Sequence, residues 1–359
     1  MEYWPSDSCG IIPTMKMGVL SFVSALAVVS SAQAGVIVSA GGLAGDGTTP
    51  CADAIQRLID ANPNREIFFP DGTYLLDKPI CTPADPSKSV ALKLSNYAKF
   101  KAAPGWTNAE AMVRLGAIHP ANNIWLAGSW YWLKGGIIDG SGVADGVSID
   151  GGRETLVADL SMKSVRIGLH IKRGCNSGSS DADVRNVNIV CNRSDESVGV
   201  LVDGADNTLA NIRIYGACRG VVINSGGTML RDIHPLYAMN DKQYPRSVGF
   251  EINAKLVWMD FCYSDQNAVG FKFGKGGSAI MDKCYCMWYK GEAGMRQTVF
   301  LAEGPFNAKV NAPTICFCSK TENVLLSVGE SGGKGYLRDL NGCPERVNDP
   351  ERTHEKYLR

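Results

Sequence analysis

Apolar and polar residues alternate in short runs that recur along most of the chain. Each repeat opens with Gly and continues with three or four residues of alternating character. After a turn comes a second run of the form apolar–x–Asn/Asp–apolar–x–apolar. Alternation with a period of two predicts β-strands that bury one face. The first runs are GVSID (146–150), GLHIK (168–172), GVLVD (199–203), GVVIN (220–224), GFEIN (249–253) and GFKFG (270–274).

The first runs recur at the interval expected of one solenoid coil per repeat. From residue 168 onward they start 21 to 31 residues apart, and loops of variable length account for the spread. The frame of leucine-rich repeats is absent. We therefore predict parallel strands in coils about 4.8 Å apart, with 199–203 beside 220–224. One position of the second run is expected to form a stacked turn. It holds Asn186, Asn211, Asp232, Asp260 and Asp282.

A different pattern precedes the repeats. Ala52, Ile55, Leu58 and Ile59 fall on one side of a predicted helix spanning about 51–61, which is followed by a strand and a turn at Asp71. The open end of a solenoid exposes apolar core and unpaired strand edges. We therefore expect this helix to cap the first coil.

Short motifs in this region resemble the N-terminal region of the pectate-lyase-like β-helix superfamily. They are G-D-G at 45–47, A-I-Q at 54–56 and F-P-D-G-T-Y at 69–74, and G-G-I-I-D-G at 135–140 is similar to a turn common there. The resemblance implies an all-β fold, a right-handed parallel β-helix with a short N-terminal capping helix. It does not specify a reaction, because the superfamily includes lyases, glycoside hydrolases, epimerases and phage tailspikes.

The sharper motifs of that superfamily are missing. The sequence has no adjacent Asp-Asp, no Gly-His-Gly and no Arg-Ile-Lys, so a polygalacturonase site does not carry over. The stretch V-W-M-D at 257–260 looks like the V-W-I-D-H of calcium-dependent pectate lyases, but Phe261 replaces the His, and R-x-P-x-x-R is absent. No metal-ligand set is predicted. Calcium is expected as a cofactor only if the protein is a lyase.

The chain divides into four predicted segments. Residues 1–34 are expected to be an upstream extension and signal peptide, because an apolar run at 17–29 precedes Ala32 and Ala34, and cleavage is predicted after Ala34. An N-terminal cap follows at 35–84, the β-helix at 85–343 and a polar C-terminal tail at 344–359. The protein is therefore expected to be secreted or periplasmic. The apolar run is too short for a membrane span.

The charge balance limits which partners can be expected. The 36 basic and 36 acidic residues cancel, so nothing indicates a nucleic-acid partner.

The cysteines bear on disulfides and metal sites. Export permits disulfides, and Cys51 with Cys81 is the first pair expected. Most other cysteines lie in strands, where burial as a small apolar residue is expected. The pairs at 284/286 and 316/318 alternate as strand residues do, so no zinc site is predicted. The oligomeric state stays open between monomer and trimer.

Outward positions of the first runs supply the catalytic candidates. The resemblance implies that a binding cleft runs along this face, and the candidates on it are Asp150, Asp203, Glu251, Lys172 and His170. Asp150 and Asp203 flank Lys172 by one coil each, about 9–10 Å apart, near the upper end of the range for inverting glycosidases. The alternative is a ladder of charges that neutralise one another.

The long connections at 191–198, 235–248 and 287–298 and the remaining outward positions supply candidates for substrate binding. Aromatic rings stack on sugars, and Lys and Arg pair with uronate carboxylates. The predicted substrate-binding residues are Asn224, Asn253, Lys272, His234, Tyr237, Lys242, Tyr244, Arg246 and Trp288. Trp125, Trp130 and Trp132 form either a platform or part of the early core. If the outward acids prove inactive, Asp241, Asp265 and Glu292 are the next acidic candidates.

Two classes of function remain open. The first is an exported enzyme that cleaves a polysaccharide or oligosaccharide, for which a uronate-containing polymer is expected, by β-elimination or hydrolysis. A lyase needs charge neutralisation and a base, and a hydrolase needs two carboxylates. The second class is a non-catalytic glycan-binding or surface-structural β-helix.

Overall fold

Short parallel strands recur in every coil of the chain. The computed structural model describes residues 38–121, 131–173, 180–237, 244–318, 320–328 and 336–338. These ranges contain one α-helix, two 3₁₀ turns (Pro86–Lys88 and Tyr244–Arg246) and 29 strands, numbered here in chain order. The strands form two sheets, of ten and nineteen strands. The predicted signal peptide and polar tail lie outside the described residues.

The ten-stranded sheet contains the first run of each repeat. Val200 pairs with Val221, and Leu201 with Val222, so the predicted adjacency of 199–203 and 220–224 is confirmed. Its strands are β5 (Ile80–Cys81), β8 (Val113–Leu115), β11 (Val147–Ile149), β13 (Ile167–Ile171), β15 (Val198–Val202), β17 (Arg219–Ile223), β19 (Val248–Ile252), β22 (Val269–Phe273), β25 (Arg296–Ala302) and β28 (Glu322–Val328).

The nineteen-stranded sheet contains the second runs, as one long strand or two short strands per coil. Its strands are β1 (Val38–Ser39), β2 (Asp46–Pro50), β3 (Glu66–Phe69), β4 (Gly72–Leu76), β6 (Ala91–Leu94), β7 (Ala98–Ala102), β9 (Trp132–Lys134), β10 (Ile137–Asp139), β12 (Leu156–Val165), β14 (Asp183–Cys191), β16 (Thr208–Tyr215), β18 (Thr228–Leu236), β20 (Val257–Asp260), β21 (Tyr263–Asp265), β23 (Ser278–Asp282), β24 (Tyr285–Met287), β26 (Asn307–Asn311), β27 (Thr314–Cys316) and β29 (Tyr336–Arg338).

A column of left-handed residues bends the long strands midway. Asp159, Asn186, Asn211 and Asp232 share one register position and have φ between 50° and 56°. Asn and Asp adopt this conformation more readily than most residues. The amide of Asn186 donates to Asp159, and that of Asn211 to Asn186, both at 2.9 Å. The predicted stacked turn is confirmed for these coils.

The prediction is wrong for the next two coils. Asp260 and Asp282 pair with each other and lie one residue before the bend. Phe261 and Lys283 take the left-handed conformation instead, with φ of 51° and 49°. Asp260 pairs with Arg231, so Phe261 lies level with Asp232, and the bend keeps its place while the Asp of the sequence motif lies one residue earlier.

Stacked glycines explain why Gly opens each repeat. A Cβ on Gly168 would lie 2.6 Å from the carbonyl oxygen of Gly199 in the next coil, and a Cβ on Gly199 would lie 2.5 Å from that of Gly220. Ile189 and Ile214 crowd the same two positions from inside the coil. Any side chain there would push neighbouring coils apart, so the repeat requires the residue without one.

The core lies between the two sheets. Phe250 stacks on Phe271 at a centroid distance of 5.1 Å, and Phe271 on Phe300 at 5.7 Å, one ring per coil. All three rings are buried. Each such side chain contributes about 1.5–3 kcal/mol by leaving water. Cys191 and Cys286 lie in strands and are buried, as expected, and Cys218, Cys262 and Cys284, next to strand ends, are buried too.

The capping helix is present as α1, Ala52–Ala61, and it buries Ala52, Ile55 and Ile59. The predicted Cys51–Cys81 disulfide is wrong, because both cysteines are free thiols. Cys51 precedes the helix, and its thiol donates to the carbonyl of Leu75. Gln56, more than a turn further on, accepts from the backbone N–H of Cys81 at 2.8 Å and donates to its carbonyl at 2.9 Å. The two cysteines therefore lie at different parts of the helix.

Candidate functional site

A chain of hydrogen-bonded side chains runs along the outer face of the ten-stranded sheet. Asp203 accepts from Asn224 at 2.8 Å, Asn224 accepts from Asn253 at 2.8 Å, and Asn253 also donates to Glu251 at 3.3 Å. The amides stack because these residues follow strands that pair in register. The polar ladder, as we call it, comprises His170, Asp203, Asn224, Asn253, Glu251, Lys272 and Glu303.

His170 and Asp203 form the first step of the ladder. His170 Nε2 lies 2.7 Å from Asp203 Oδ2, and the two side chains are 23% and 36% exposed. The hydrogen bond from His170 is the main cause of a lowered pKa for Asp203. Burial opposes it, and a bond from Asn224 assists it. Asp203 therefore stays ionised at neutral pH and orients the imidazole.

Glu251 and Lys272 form the other end of the ladder. Glu251 is 12% exposed at its side chain, and its carboxylate lies 3.6 Å from Lys272 Nζ. Lys272 lies closer to Glu303, at 3.0 Å. Glu251 and Lys272 therefore form an ion pair, and Glu303 lies closer to the same ammonium group. The sequence pattern did not predict Glu303 as a site residue, because the fragment around Phe300 lacks the leading Gly of the repeat.

Asp150 does not act as an open carboxylate on this face. Its side chain is only 4% exposed and lies between Arg114 Nε at 2.6 Å and Lys172 Nζ at 3.0 Å. Lys172 also pairs with Glu110 at 3.1 Å. Burial raises the pKa of Asp150, but its hydrogen bonds, those from Lys172 and Arg114 among them, outweigh burial, so the pKa is lowered overall. The expected symmetry, with Lys172 between two outward acids, is corrected: Lys172 pairs with Asp150 and Glu110, and Asp203 pairs with His170.

The long connections contribute less than predicted. Tyr237, Tyr244 and Trp288 are buried, so their rings are not available to a substrate. Tyr244 packs in a small cluster with Tyr237, and burial raises its pKa to about 12. Arg246 forms an ion pair with Asp195 of a neighbouring connection. Lys242 lies outside the described residues, as do Asp241, Trp125 and Trp130.

These connections also enter the strands at the end opposite the ladder. Arg246 precedes β19, whereas Asn253 follows it. About five residues of strand separate the two, or roughly 16 Å of extended chain. The ladder and the long loops are therefore not adjacent along this strand, contrary to the expected groove. The sequence pattern predicted where the long connections lie but did not predict that their aromatic residues are buried.

A second His–Asp pair lies on the nineteen-stranded sheet. His234 Nε2 is 3.2 Å from Asp265 Oδ2, and the His234 ring stacks on Tyr263 at 4.2 Å. Tyr263 stacks in turn on Tyr285 at 4.7 Å. Sequence reasoning named His234 and Asp265 but missed both tyrosines. Their shared register position could have indicated the stack, because 263 and 285 follow the bend at equal distances.

No protein-family model and no curated protein matches this sequence. Solved structures do match. An alginate lyase from Paenibacillus sp. str. FPU-7 aligns with a TM-score of 0.56 and 13% identity, over 76% of this chain and 97% of that one. The enzymatically active domain of tailspike protein 2 from bacteriophage CBA120 gives 0.65 and 12%, over 85% and 47%. This chain is a right-handed parallel β-helix.

A third β-helix extends the comparison. The catalytic unit of an α-1,3-glucanase from Streptomyces thermodiastaticus aligns with a TM-score of 0.52 and 14% identity, over 87% of this chain and 70% of that one. At such identities the likeness establishes the fold. This chain spans about half the length of the CBA120 domain.

The carboxylates of the ladder and the neighbouring Asp150 do not fit a calcium ion. Calcium takes six to eight oxygen ligands, several of them carboxylates. Asp150 faces two cations, Glu251 faces Lys272, and Asp203 faces His170. Among the residues the structure describes, no three His, Cys, Asp or Glu side chains cluster closely enough to share a metal. In the same ranges no helix has the length and apolar character needed to cross a bilayer.

Proposed function

We propose that this protein binds a polysaccharide along the polar ladder and hydrolyses it. The observation that carries the proposal is the unbroken series of side-chain contacts from His170 to Glu303 on the outer face of a rigid sheet. The series crosses six coils, or roughly 24 Å at about 4.8 Å per coil. That length suits an extended glycan of several sugar units, whose hydroxyls match amide and carboxylate groups.

The charge of the ladder favours a neutral polymer over a uronate. The ladder holds three carboxylates, those of Asp203, Glu251 and Glu303, and one ammonium group, that of Lys272. The neighbouring cations Arg114 and Lys172 are already paired with Asp150 and Glu110. A chain of carboxylates would be repelled here. A neutral glycan would not be, and hydrolysis is the cleavage open to it.

Asp203 and Glu251 are the carboxylates that would perform the hydrolysis. Two coils and two positions along the strand separate them, which corresponds to roughly 12 Å between their Cα atoms. That spacing is too long for a retaining pair and leaves room for a water, as inversion requires. Asp203, held ionised and positioned by His170, would accept a proton from water. Glu251 would act as the general acid in its protonated form, with Lys272 paired to the closer Glu303, and would donate that proton to the glycosidic oxygen.

The fold supports this proposal without specifying a sugar. The matched β-helices include an alginate lyase, a tailspike domain described as enzymatically active and an α-1,3-glucanase. Export also belongs to the proposal: we expect the mature protein to begin at Gly35 and to act outside the cytoplasm. N-terminal sequencing of protein recovered from the periplasm or the medium would check this.

A product assay tests the reaction. Neutral, amino-sugar and uronate polysaccharides would be incubated with the protein, and reducing ends and absorbance of unsaturated uronate measured. We expect reducing ends without that absorbance, and inversion at the anomeric carbon by NMR. Asp203→Asn and Glu251→Gln should each lower turnover about 10²–10⁴-fold.

Asp282→Asn is the matched control. Asp282 also accepts from a stacked amide, that of Asn311 at 2.6 Å, but on the other sheet. It should retain turnover. Unsaturated products, or full turnover in both ladder variants, would rule out the proposed mechanism.

Binding without cleavage is the second candidate. It is favoured by one observation: both carboxylate oxygens of Asp203 are already engaged, by His170 and by Asn224. This candidate predicts glycan binding that Asp203→Asn weakens, with no reducing ends released from any polymer.

A further inference from the structure

Asp265 occupies a setting in which carboxylates are rare. Its residue surface is 7% exposed, and its register neighbours in the adjacent coils are Leu236 and Met287. Oδ2 faces His234, whereas Oδ1 is buried and has no hydrogen-bond partner. An unmet acceptor in apolar surroundings destabilises the fold. Any ligand hydroxyl that reached Oδ1 would offset that destabilisation.

Beside Asp265, the hydroxyl groups of two tyrosines donate hydrogen bonds to sulfur, which is a weak acceptor. The hydroxyls of Tyr263 and Tyr285 lie 3.2 and 3.5 Å from the thioether sulfur of Met287. Thioether sulfur is a weak acceptor, so an oxygen ligand would compete well for these protons. Burial raises the pKa of Tyr263, and the charge of Asp265 and a hydrogen-bonding interaction with that carboxylate raise it further, so this phenol already lies beside Asp265. Contact with Cys316 is the main cause of a pKa of about 12 for Tyr285. Both phenols stay protonated at neutral pH.

An exposed aromatic ring lies next to this group. Tyr289 is 55% exposed and follows Met287, the register partner of Asp265, by two residues. Its backbone N–H donates to the side chain of Gln266 at 2.6 Å, which fixes Tyr289 beside the strand that carries Asp265. Tyrosine rings present both an apolar face and a hydroxyl, a combination suited to sugar rings.

We propose that His234, Tyr263, Asp265, Tyr285 and Tyr289 form a second saccharide-binding site on the nineteen-stranded sheet. The site takes a neutral sugar unit, with one hydroxyl donating to Asp265 Oδ1 and another accepting from a phenol. An anionic sugar would be repelled by Asp265, which forms no ion pair with Lys or Arg among the described residues. The proposal stands apart from hydrolysis at the ladder, because none of these residues belongs to it.

Counting binding sites tests the proposal. The variant Asp203→Asn/Glu251→Gln would be screened on a printed array of neutral, amino-sugar and uronate oligosaccharides. The strongest neutral oligosaccharide would then be titrated by calorimetry. We expect two sites per chain, and one fewer after Tyr289→Ala or Asp265→Asn is added. Tyr97→Ala is the matched control, since Tyr97 is another exposed tyrosine, in the turn between β6 and β7.

Each outcome of the array and the titration either supports or overturns the second saccharide-binding site. A single site that disappears with Tyr289→Ala supports this site and counts against the ladder as a glycan site. A site number and affinity that Tyr289→Ala leaves within twofold of the parent would overturn the proposal, as would an array without any binding. If Asp265→Asn fails to fold by circular dichroism, the Tyr289→Ala titration decides alone.

Discussion

Two His–Asp pairs on different sheets use the same functional groups in different surroundings. His170 and Asp203 are 2.7 Å apart on the ten-stranded sheet, and the carboxylate also accepts from Asn224. His234 and Asp265 are 3.2 Å apart on the nineteen-stranded sheet, where one oxygen of Asp265 has no partner. The first pair is embedded in polar groups, and the second is surrounded by rings and apolar side chains.

The difference shows that surroundings, more than residue identity, determine what a carboxylate can do. Asp203 is satisfied and kept ionised by its neighbours, which suits proton transfer in a polar cleft. Asp265 retains an unused acceptor beside protonated phenols, which suits recognition of a hydroxyl. Variants that alter one pair and not the other can therefore separate catalysis from binding.

The largest expected effect distinguishes the two histidines in turnover. His170→Ala should lower kcat about 10²–10³-fold with little change in KM, because Asp203 loses the group that positions it. His234→Ala should lower kcat less than tenfold. Steady-state kinetics on the substrate found in the product assay would measure both.

A conservative variant controls for simple loss of structure. His170→Gln retains a side-chain N–H that can donate to Asp203, so part of the activity should return. Equal losses of kcat in His170→Ala and His234→Ala would show that the two pairs do not divide catalysis and binding in this way.

The next effect concerns stability, and it contrasts the ladder with the charged cluster at its N-terminal end. Asp150 lies between Arg114 and Lys172 and is 4% exposed at its side chain. Asp150→Asn leaves two cations facing each other. The free energy of unfolding should fall by about 2–4 kcal/mol, somewhat less than for a fully buried pair, because both cations are partly exposed. Urea denaturation measures it, with Asp282→Asn as the exposed control; a loss below about 1 kcal/mol would contradict the prediction.

The fold could be predicted because each coil repeats the same requirement. Positions 168 and 199 must be Gly because the next coil leaves no room for a side chain. Apolar residues alternate, as at Val200 and Val202, because every second side chain packs in the core. A local pattern therefore carries global information in a solenoid. The Cys51–Cys81 prediction was wrong because both residues flank the cap in sequence but contact different groups, Cys51 the carbonyl of Leu75 and Cys81 the side chain of Gln56.

The site could be predicted only in part. The pattern placed Asp203, Asn224 and Asn253 in one column, because strand register fixes them. It could not reveal that Asp150 is buried between cations, because Arg114 comes from a run that lacks the repeat motif. Nor could it reveal that Tyr244 and Trp288 turn inward, because loop burial depends on contacts between coils and not on local alternation.

The smallest expected effect is the pH dependence that Asp203 gives to stability. Its pKa is lowered in the folded state, chiefly by the hydrogen bond from His170. A lowered pKa means that the folded state favours the ionised form. The stabilisation is therefore fully present above the unfolded value of about 3.9, and it is lost as the pH falls through the lower folded value. Because the side chain is 36% exposed, solvent screening limits the contribution to about 1 kcal/mol or less. Urea midpoints of the wild type and Asp203→Asn should differ at pH 5, where the Asp203 carboxylate is ionised, and the difference should shrink below pH 4. A gap that stayed constant down to pH 2.5 would show that Asp203 gains nothing from His170 in the folded state, and would remove the contrast between the two pairs.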